Sequence, residues 1–427
     1  MQRSVVKFKG LRQVLAALAT LAVLATVFPL ALHADKKKKK DDTPAVVKPI
    51  DYSYIVWPNP PAITRIRYVN WYSADKEQRN LQGNVQKKNK WMDRLAGTQS
   101  NDEVFKMPFQ LVQPYGIAVD SQKRLYVADQ KVGAIFIFNT DETKNVELIK
   151  NGVNGHFVRI IGLAMDDDDR LFVSDPGLRH VLVFDKNHKA QDVITDGMVE
   201  PGGLAIDTRN RFLYVTDIAL DQVLVYDADT LKLLRKIGTT GHNHELTTPG
   251  DFSKPAGVAV DGEGNVYVAD TMNNRIETFD ADGQFVSTFG KNGDGPGYFS
   301  RPKGVAIDSD GHIWVADGMQ DRIQVFNKEA QLLIAFGGHG LLPGQFQGLV
   351  GIAVDKWDRV FTTEIFPGRA QEFQYITDAQ ADVERKKREE QREKAAAEKT
   401  NAATNAPASA PASAPAAPSA STAPAKP

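Results

Sequence analysis

The chain of 427 residues contains no cysteine. That absence removes disulfides, thiolate metal sites, thiol nucleophiles and a lipid-carrying cysteine together. Basic charge is scarce through the middle of the chain. Residues 110–376 hold 25 Lys+Arg against 37 Asp+Glu, about −12, although the whole chain sums to −1. Phosphate contacts need a basic face, so an acidic body with basic flanks argues against nucleic-acid binding by that body. Apolar residues are not lacking: at 42% they support a sizeable core. The length accommodates two or three average domains, or one large all-β domain with tails.

The N-terminus reads as an address. Arg3, Lys7, Lys9 and Arg12 precede an apolar run from Val14 to Leu32, closed by Leu32-His33-Ala34. A positive leader, an apolar stretch and a small-residue site describe export. The run also approaches bilayer-spanning length, so residues 1–34 fit either a cleaved signal or an anchor through residues 14–32. Lys36–Lys40 lies on the wrong side for the positive-inside tendency. Residues 35–61 then form a basic, extended linker.

At the other end, residues 377–399 are strong helix formers of mixed charge with almost no apolar stripe, which predicts a solvated helix. Residues 400–427 are almost entirely Ala, Pro, Ser and Thr, a composition expected to stay disordered. Such a tail suits a spacer reaching an envelope polymer, or a dispensable end.

Between Pro114 and Tyr375 the chain repeats itself six times. "PYGIAVD", "IIGLAMD", "PGGLAID", "PAGVAVD", "PKGVAID" and "LVGIAVD" end at Asp120, Asp166, Asp207, Asp261, Asp308 and Asp355. Each is followed by a second alternating run ending at Asp129, Asp175, Asp217, Asp270, Asp317 or Glu364, and then by a third. Fourth runs such as "FVSTFG" and "LLIAFG" complete all but the last copy. Four short strands at a period in the forties describe a β-propeller blade. "PAGVAVD", "VYVADTMNNRI" and the linker "FGKNGDGPGYFSRP" resemble the NHL repeat in particular, which implies an all-β, six-bladed propeller of an exported type. The Gly-His and Trp-Asp pairs of WD40 repeats do not recur. The sixth copy lacks an outer strand, and "AITRIRYVNWYS" (residues 62–73) is an alternating run without a partner of its own. We therefore expect residues 62–376 to form one domain, with 62–73 closing the last blade. Residues 74–110 form an insertion carrying a short amphipathic helix around Trp91, Met92 and Leu95.

Acids recurring six times in register read as turn-makers, because an Asp after a strand accepts hydrogen bonds from amides two or three residues on. A catalytic site in a pseudo-symmetric ring needs different groups from different blades. Arg275, Arg322 and Arg369, five residues after their acids, suit structural ion pairs or backbone bonds. "MDDDDR" (residues 165–170) lacks the glycine and distal glutamate of an EF-hand loop and reads as a solvated turn.

The residues between Pro and Gly of each first strand should rim the channel: Tyr115, Ile161, Gly202, Ala256, Lys303 and Val350. Propeller lactonases and amidating lyases of related shape place carboxylate, amide or histidine metal ligands there, and this rim has none of these. The link between the third and fourth copies carries His242, His244 and Glu245, a weak zinc set that lacks a fourth ligand. Met272, Met319 and Phe366 fall in second-to-third turns on the same face. Exposed Met and aromatic side chains suit protein or peptide contact. The sequence thus predicts a non-catalytic, envelope-located scaffold. It needs no cofactor, binds no nucleic acid, and holds a protein or peptide partner on its loop face through Tyr115, Lys303, Met272, Met319, Phe366, His242 and His244. The alternative is a metal-dependent propeller lyase or lactonase acting on a small substrate at the channel.

Overall fold

In the computed structural model, residues 51–73, 110–141, 146–152, 155–239 and 248–404 are described. The leader, the insertion with Trp91, the links bearing His242, His244 and Glu245, and the C-terminal tail beyond residue 404 lie outside them. The described residues all belong to one compact unit, Asp51–Pro427.

Each repeat folds as an antiparallel sheet because apolar and polar residues alternate along short β-branched and aromatic runs bounded by Asp and Gly turns. In the fourth blade Pro255–Val260, Val266–Asp270, Arg275–Phe279 and Phe285–Phe289 pair in sequence order. The second strand is buried throughout, whereas the fourth is largely exposed. The other blades repeat this order, and blade six is assembled differently. Leu349–Val354, Arg359–Glu364 and Arg369–Tyr375 take Ile66–Tyr72 as their outer strand, with Val56–Trp57 beyond it. Ile66 faces Tyr375 and Tyr72 faces Ala370 across that pairing. Ile66, Tyr68 and Tyr72 are buried by it, so chain from before the repeats completes the ring after them.

The first strands of neighbouring blades touch all the way round, including that of blade six against that of blade one. Six apolar clusters occupy the wedges between blades; the largest joins Trp314, Phe336, Phe346 and Phe373 with Tyr68. Closure leaves only short, protected sheet edges.

The Pro-x-Gly signature has a steric cause. A Cβ on Gly116 would lie 2.2 Å from the carbonyl oxygen of Ile161, and one on Gly257 would lie 2.4 Å from that of Lys303. Each such glycine faces the rim carbonyl of the next blade, an approach too close for any side chain.

The two sets of acids are structural. Asp261 accepts the amides of Glu263 and Asn265, both at 2.9 Å, and the Tyr267 hydroxyl at 3.0 Å. In blade five the same place on Asp308 takes the indole N–H of the buried Trp314. The second set reaches further than its own turn. Asp317 accepts the amides of Met319 and Gln320 and also those of Ser300 and Arg301 in the incoming link. One buried carboxylate thereby fastens the turn and the link side by side on one face.

A helix, Asp378–Thr404, follows the ring. Its first turn carries a capping box, in which Thr377 and Gln380 each accept the other's amide. Arg65 of the closing segment pairs with Asp378.

Candidate functional site at the channel mouth

The first strands surround a channel cavity of about 470 Å³. Its walls are apolar because the six first strands line it with unbroken runs of Gly, Ala and aliphatic residues, such as Gly116–Val119 and Gly203–Ile206. Polarity is confined to one end. Tyr115 and Lys303 stand there with Lys254, Arg301, Thr271 and Met272. The Thr271 hydroxyl is engaged by the Pro302 carbonyl at 2.7 Å.

The structure brings Tyr115 and Lys303 together across blade six, with the ammonium 5.9 Å from the phenol ring centre. A Cβ on Gly318 would lie 2.7 Å from the Leu349 carbonyl oxygen and 3.1 Å from both Cδ and Cε of Lys303, so the blade-six backbone and the lysine stem both press on this glycine. Lys303 is half-buried, and Lys254 and Arg301 are exposed. No described carboxylate lies within ion-pairing distance of any of the three. Arg159 holds the position in blade two that Lys254 and Arg301 hold in blades four and five, and it is paired with Glu200 at 2.7 Å.

Met272, Met319 and Phe366 sit at one repeat position in three consecutive blades, and are 44%, 63% and 58% exposed. Lys131, Gly177 and Ala219 occupy it in the other three. Met272 reaches the cavity, whereas Met319 and Phe366 stand outside its lining as an apolar arc. Lys254 and Arg301 were missed in the rim reading, which considered only residues between Pro and Gly. Their signal was the basic residue immediately before proline in "SKP" and "SRP".

The links into blades four, five and six are tightly held. In each Pro-Gly-x-Phe run the glycine amide donates to the middle of a third strand: Gly250 to Glu277, Gly297 to Gln324 and Gly344 to Gln371, at 2.8–2.9 Å. The phenylalanines, Phe252, Phe299 and Phe346, are fully buried. Arg275 pairs with Asp270 at 2.8 Å, and Arg369 pairs with Glu364. Arg322 instead donates to the carbonyls of Asp294 and Gly295. Burial pushes the Glu277 carboxyl up to about 7.

The acidic turn at residues 166–168 brings three carboxylates within reach of one another. Arg170 and Arg211 pair with it: Arg170 contacts Asp166, and Arg211, from the next blade, contacts Asp166 and Asp167, while both reach Asp229 of that next blade. It is an ion-pair network between blades.

Two family models match parts of the chain. One, described as the SMP-30/gluconolactonase/LRE-like region, covers residues 164–289; the other, described as a 6-bladed beta-propeller, covers residues 253–360. Among curated proteins, the probable peptidyl-alpha-hydroxyglycine alpha-amidating lyase pgal-1 of Caenorhabditis elegans is 34% identical over 113 residues, 25% of this chain and 30% of that protein. The B-box type zinc finger protein ncl-1 of the same organism is 56% identical over 36 residues, 8% of this chain and 4% of that protein. The chain thus spans less than a third of the length of either relative. A solved Bacteroides thetaiotaomicron protein of unknown function superposes with a TM-score of 0.50 at 16% identity, over 62% of this chain and 70% of that one. With five four-stranded sheets and one five-stranded sheet closed into a ring, the described chain is a six-bladed β-propeller.

Proposed function

We propose that this protein is a non-catalytic platform that holds a protein or peptide partner on the loop face of the propeller. The observation that carries this reading is the apolar arc of Met272, Met319 and Phe366, exposed on three consecutive blades beside the channel mouth. Exposed soft and aromatic side chains at one repeat position of three neighbouring blades suit contact with a protein or peptide. The links and turns that present it are fastened by buried carboxylates and phenylalanines, so the surface is held in place before a partner arrives, which lowers the entropic cost of binding. Panning a peptide display library against the purified chain tests the reading. Enrichment that is lost with the Met272/Met319/Phe366 triple alanine variant is expected; equal enrichment on both proteins would remove the loop face from consideration.

The matches to the gluconolactonase-like model and the amidating lyase favour a second reading, a metal-dependent enzyme at the channel. The donor set does not fit it. Zinc and calcium take imidazole, carboxylate or amide oxygen ligands, and the described lining offers side chains bearing amines, a guanidinium, a phenol and a hydroxyl instead. Calorimetric titration with zinc and calcium decides between the two. Tight binding abolished by His242→Ala would replace the platform with a metal site.

We place the platform in the cell envelope, on the strength of its basic leader and apolar run, with the Ala/Pro-rich tail as a spacer. Fractionation with and without residues 1–34 tests that placement.

A further inference from the structure

We infer that the channel mouth is a receptor for the C-terminal carboxylate of a peptide, with the apolar side chain of that last residue entering the channel. This rests on the reading of the loop face as a peptide-binding surface and specifies its central contact.

Three observations converge on it. The first is charge. Lys254, Arg301 and Lys303 come from two adjacent blades to one side of the mouth, and no carboxylate side chain contributes to the described lining. Asp221 and Asp317 accept the backbone amides of Lys254 and Arg301 at 2.7 and 3.1 Å, and neither forms an ion pair with the three cationic side chains. Arg159, the equivalent cation in blade two, is already paired with Glu200.

The second is placement. Lys303 is half-buried and its stem runs over Gly318, which sends its ammonium across the mouth toward Tyr115. An ammonium held partly out of water binds an anion more strongly than a freely solvated one. Arg301 and Lys254, more exposed, add long-range attraction that salt screens.

The third is shape. Directly below the cations the wall turns apolar, and the cavity of about 470 Å³ admits side chains but not a folded element. A C-terminal residue carries a carboxylate and a side chain on one Cα. It can therefore meet the cations and the apolar wall together, with Met272 beside it. A phosphate backbone offers charge at regular intervals and would need a basic track, whereas these cations occupy one sector.

The test uses the full chain and fluorescence anisotropy with labelled hexapeptide pools ending in leucine. One pool has a free carboxylate and one a C-terminal amide; a third is amidated with an internal aspartate, and octauridylate is a fourth probe. At low salt the free-carboxylate pool should bind at least tenfold more tightly than its amide, with the ratio shrinking as salt rises. Lys303→Met should remove most of that ratio, and Gly318→Ala should reduce it by crowding the Leu349 carbonyl and the lysine stem together. Thermal melts report whether each variant folds, and Lys303→Met carries the test if Gly318→Ala does not. Equal binding of carboxylate and amide pools, lost from both in the Met272/Met319/Phe366 variant, would overturn the carboxylate receptor and leave the peptide platform standing. Binding of no peptide pool would overturn both. Preference for the internal-aspartate amide would overturn the C-terminal assignment, and tighter binding of octauridylate would replace the peptide with nucleic acid.

Discussion

The hydroxyl of Thr363 donates to the backbone carbonyl of Tyr115 at 2.6 Å, across 248 residues of sequence. It also accepts the amide of Gly351 at 3.0 Å, so one side chain binds its own blade's first strand to that of blade one. Ser174 and Thr216 make equivalent bonds to the carbonyls of Gly202 and Ala256 in the blades that follow theirs. The Thr363 bond differs in consequence, because it lies at the seam where the ring closes.

Thr363→Val keeps the shape and removes both bonds. It leaves the Tyr115 carbonyl and the Gly351 amide, both half-buried, without this partner, which should cost about 1 kcal/mol. Chemical denaturation should show a lower midpoint with an unchanged slope; an unchanged midpoint would show that water or a neighbour replaces the hydroxyl.

Gly257→Ala should be worse than its size suggests. The added carbon would meet the Lys303 carbonyl at 2.4 Å, with the Cα of Gly304 and the nitrogen of Val305 at 3.1 and 3.2 Å, all of them backbone atoms of the next blade. A loss of roughly 3 kcal/mol is expected, in line with forced repacking of a tight interior. Gly262→Ala, with nothing within 4 Å, is the control and should stay within about 0.5 kcal/mol of wild type.

Glu277 should make stability depend on pH. Its folded-state pKa, pushed up to about 7 by burial, lies above the ordinary value of 4.5. A carboxyl raised in this way contributes stability that is fully present below 4.5 and is lost as pH rises through 7. Glu277→Gln puts at this position the amide that Gln324 and Gln371 supply in the next two blades, and removes the titration. The variant should match wild type near pH 4.5 and gain on it with rising pH, by roughly 2–3 kcal/mol at pH 8. Denaturation midpoints from pH 4.5 to 8 that run parallel in the two proteins would refute the burial account.

Deleting Arg65–Tyr72 removes the outer strand of blade six and the buried Ile66, Tyr68 and Tyr72. Loss of near-ultraviolet circular dichroism and of the cooperative melt is expected. A melt unchanged by the deletion would mean that the ring closes without this strand.

Much of this molecule was legible in the chain because a propeller writes itself six times. Alternation marks each strand, aspartates mark each turn, and six copies in register specify six blades. The repeated acids were readable as structure on the same ground, although their second role was not. That Asp317 also fastens Ser300 and Arg301 depends on a link and a turn meeting on one face, and no local pattern records that meeting. The site was half legible. Tyr115 and Lys303 stood out as departures from the repeat, and Met272, Met319 and Phe366 as apolar residues in turns. Lys254 and Arg301 did not stand out, because a basic residue before proline looks ordinary until the ring turns two of them toward one mouth.

What the sequence determined by itself was therefore the unit: strand lengths, turns, and the glycine required wherever a rim carbonyl comes close. Those are short-range demands, set by sterics and hydrogen bonding within and between adjacent strands. What only the tertiary structure decided was which residues of different units share a space. Closing the ring carries Lys303 to Tyr115 and gathers Lys254, Arg301 and Met272 beside them, while Glu200 neutralises Arg159 elsewhere. Charge pairing and burial act through space, so the same residue type is silent in one blade and available in another.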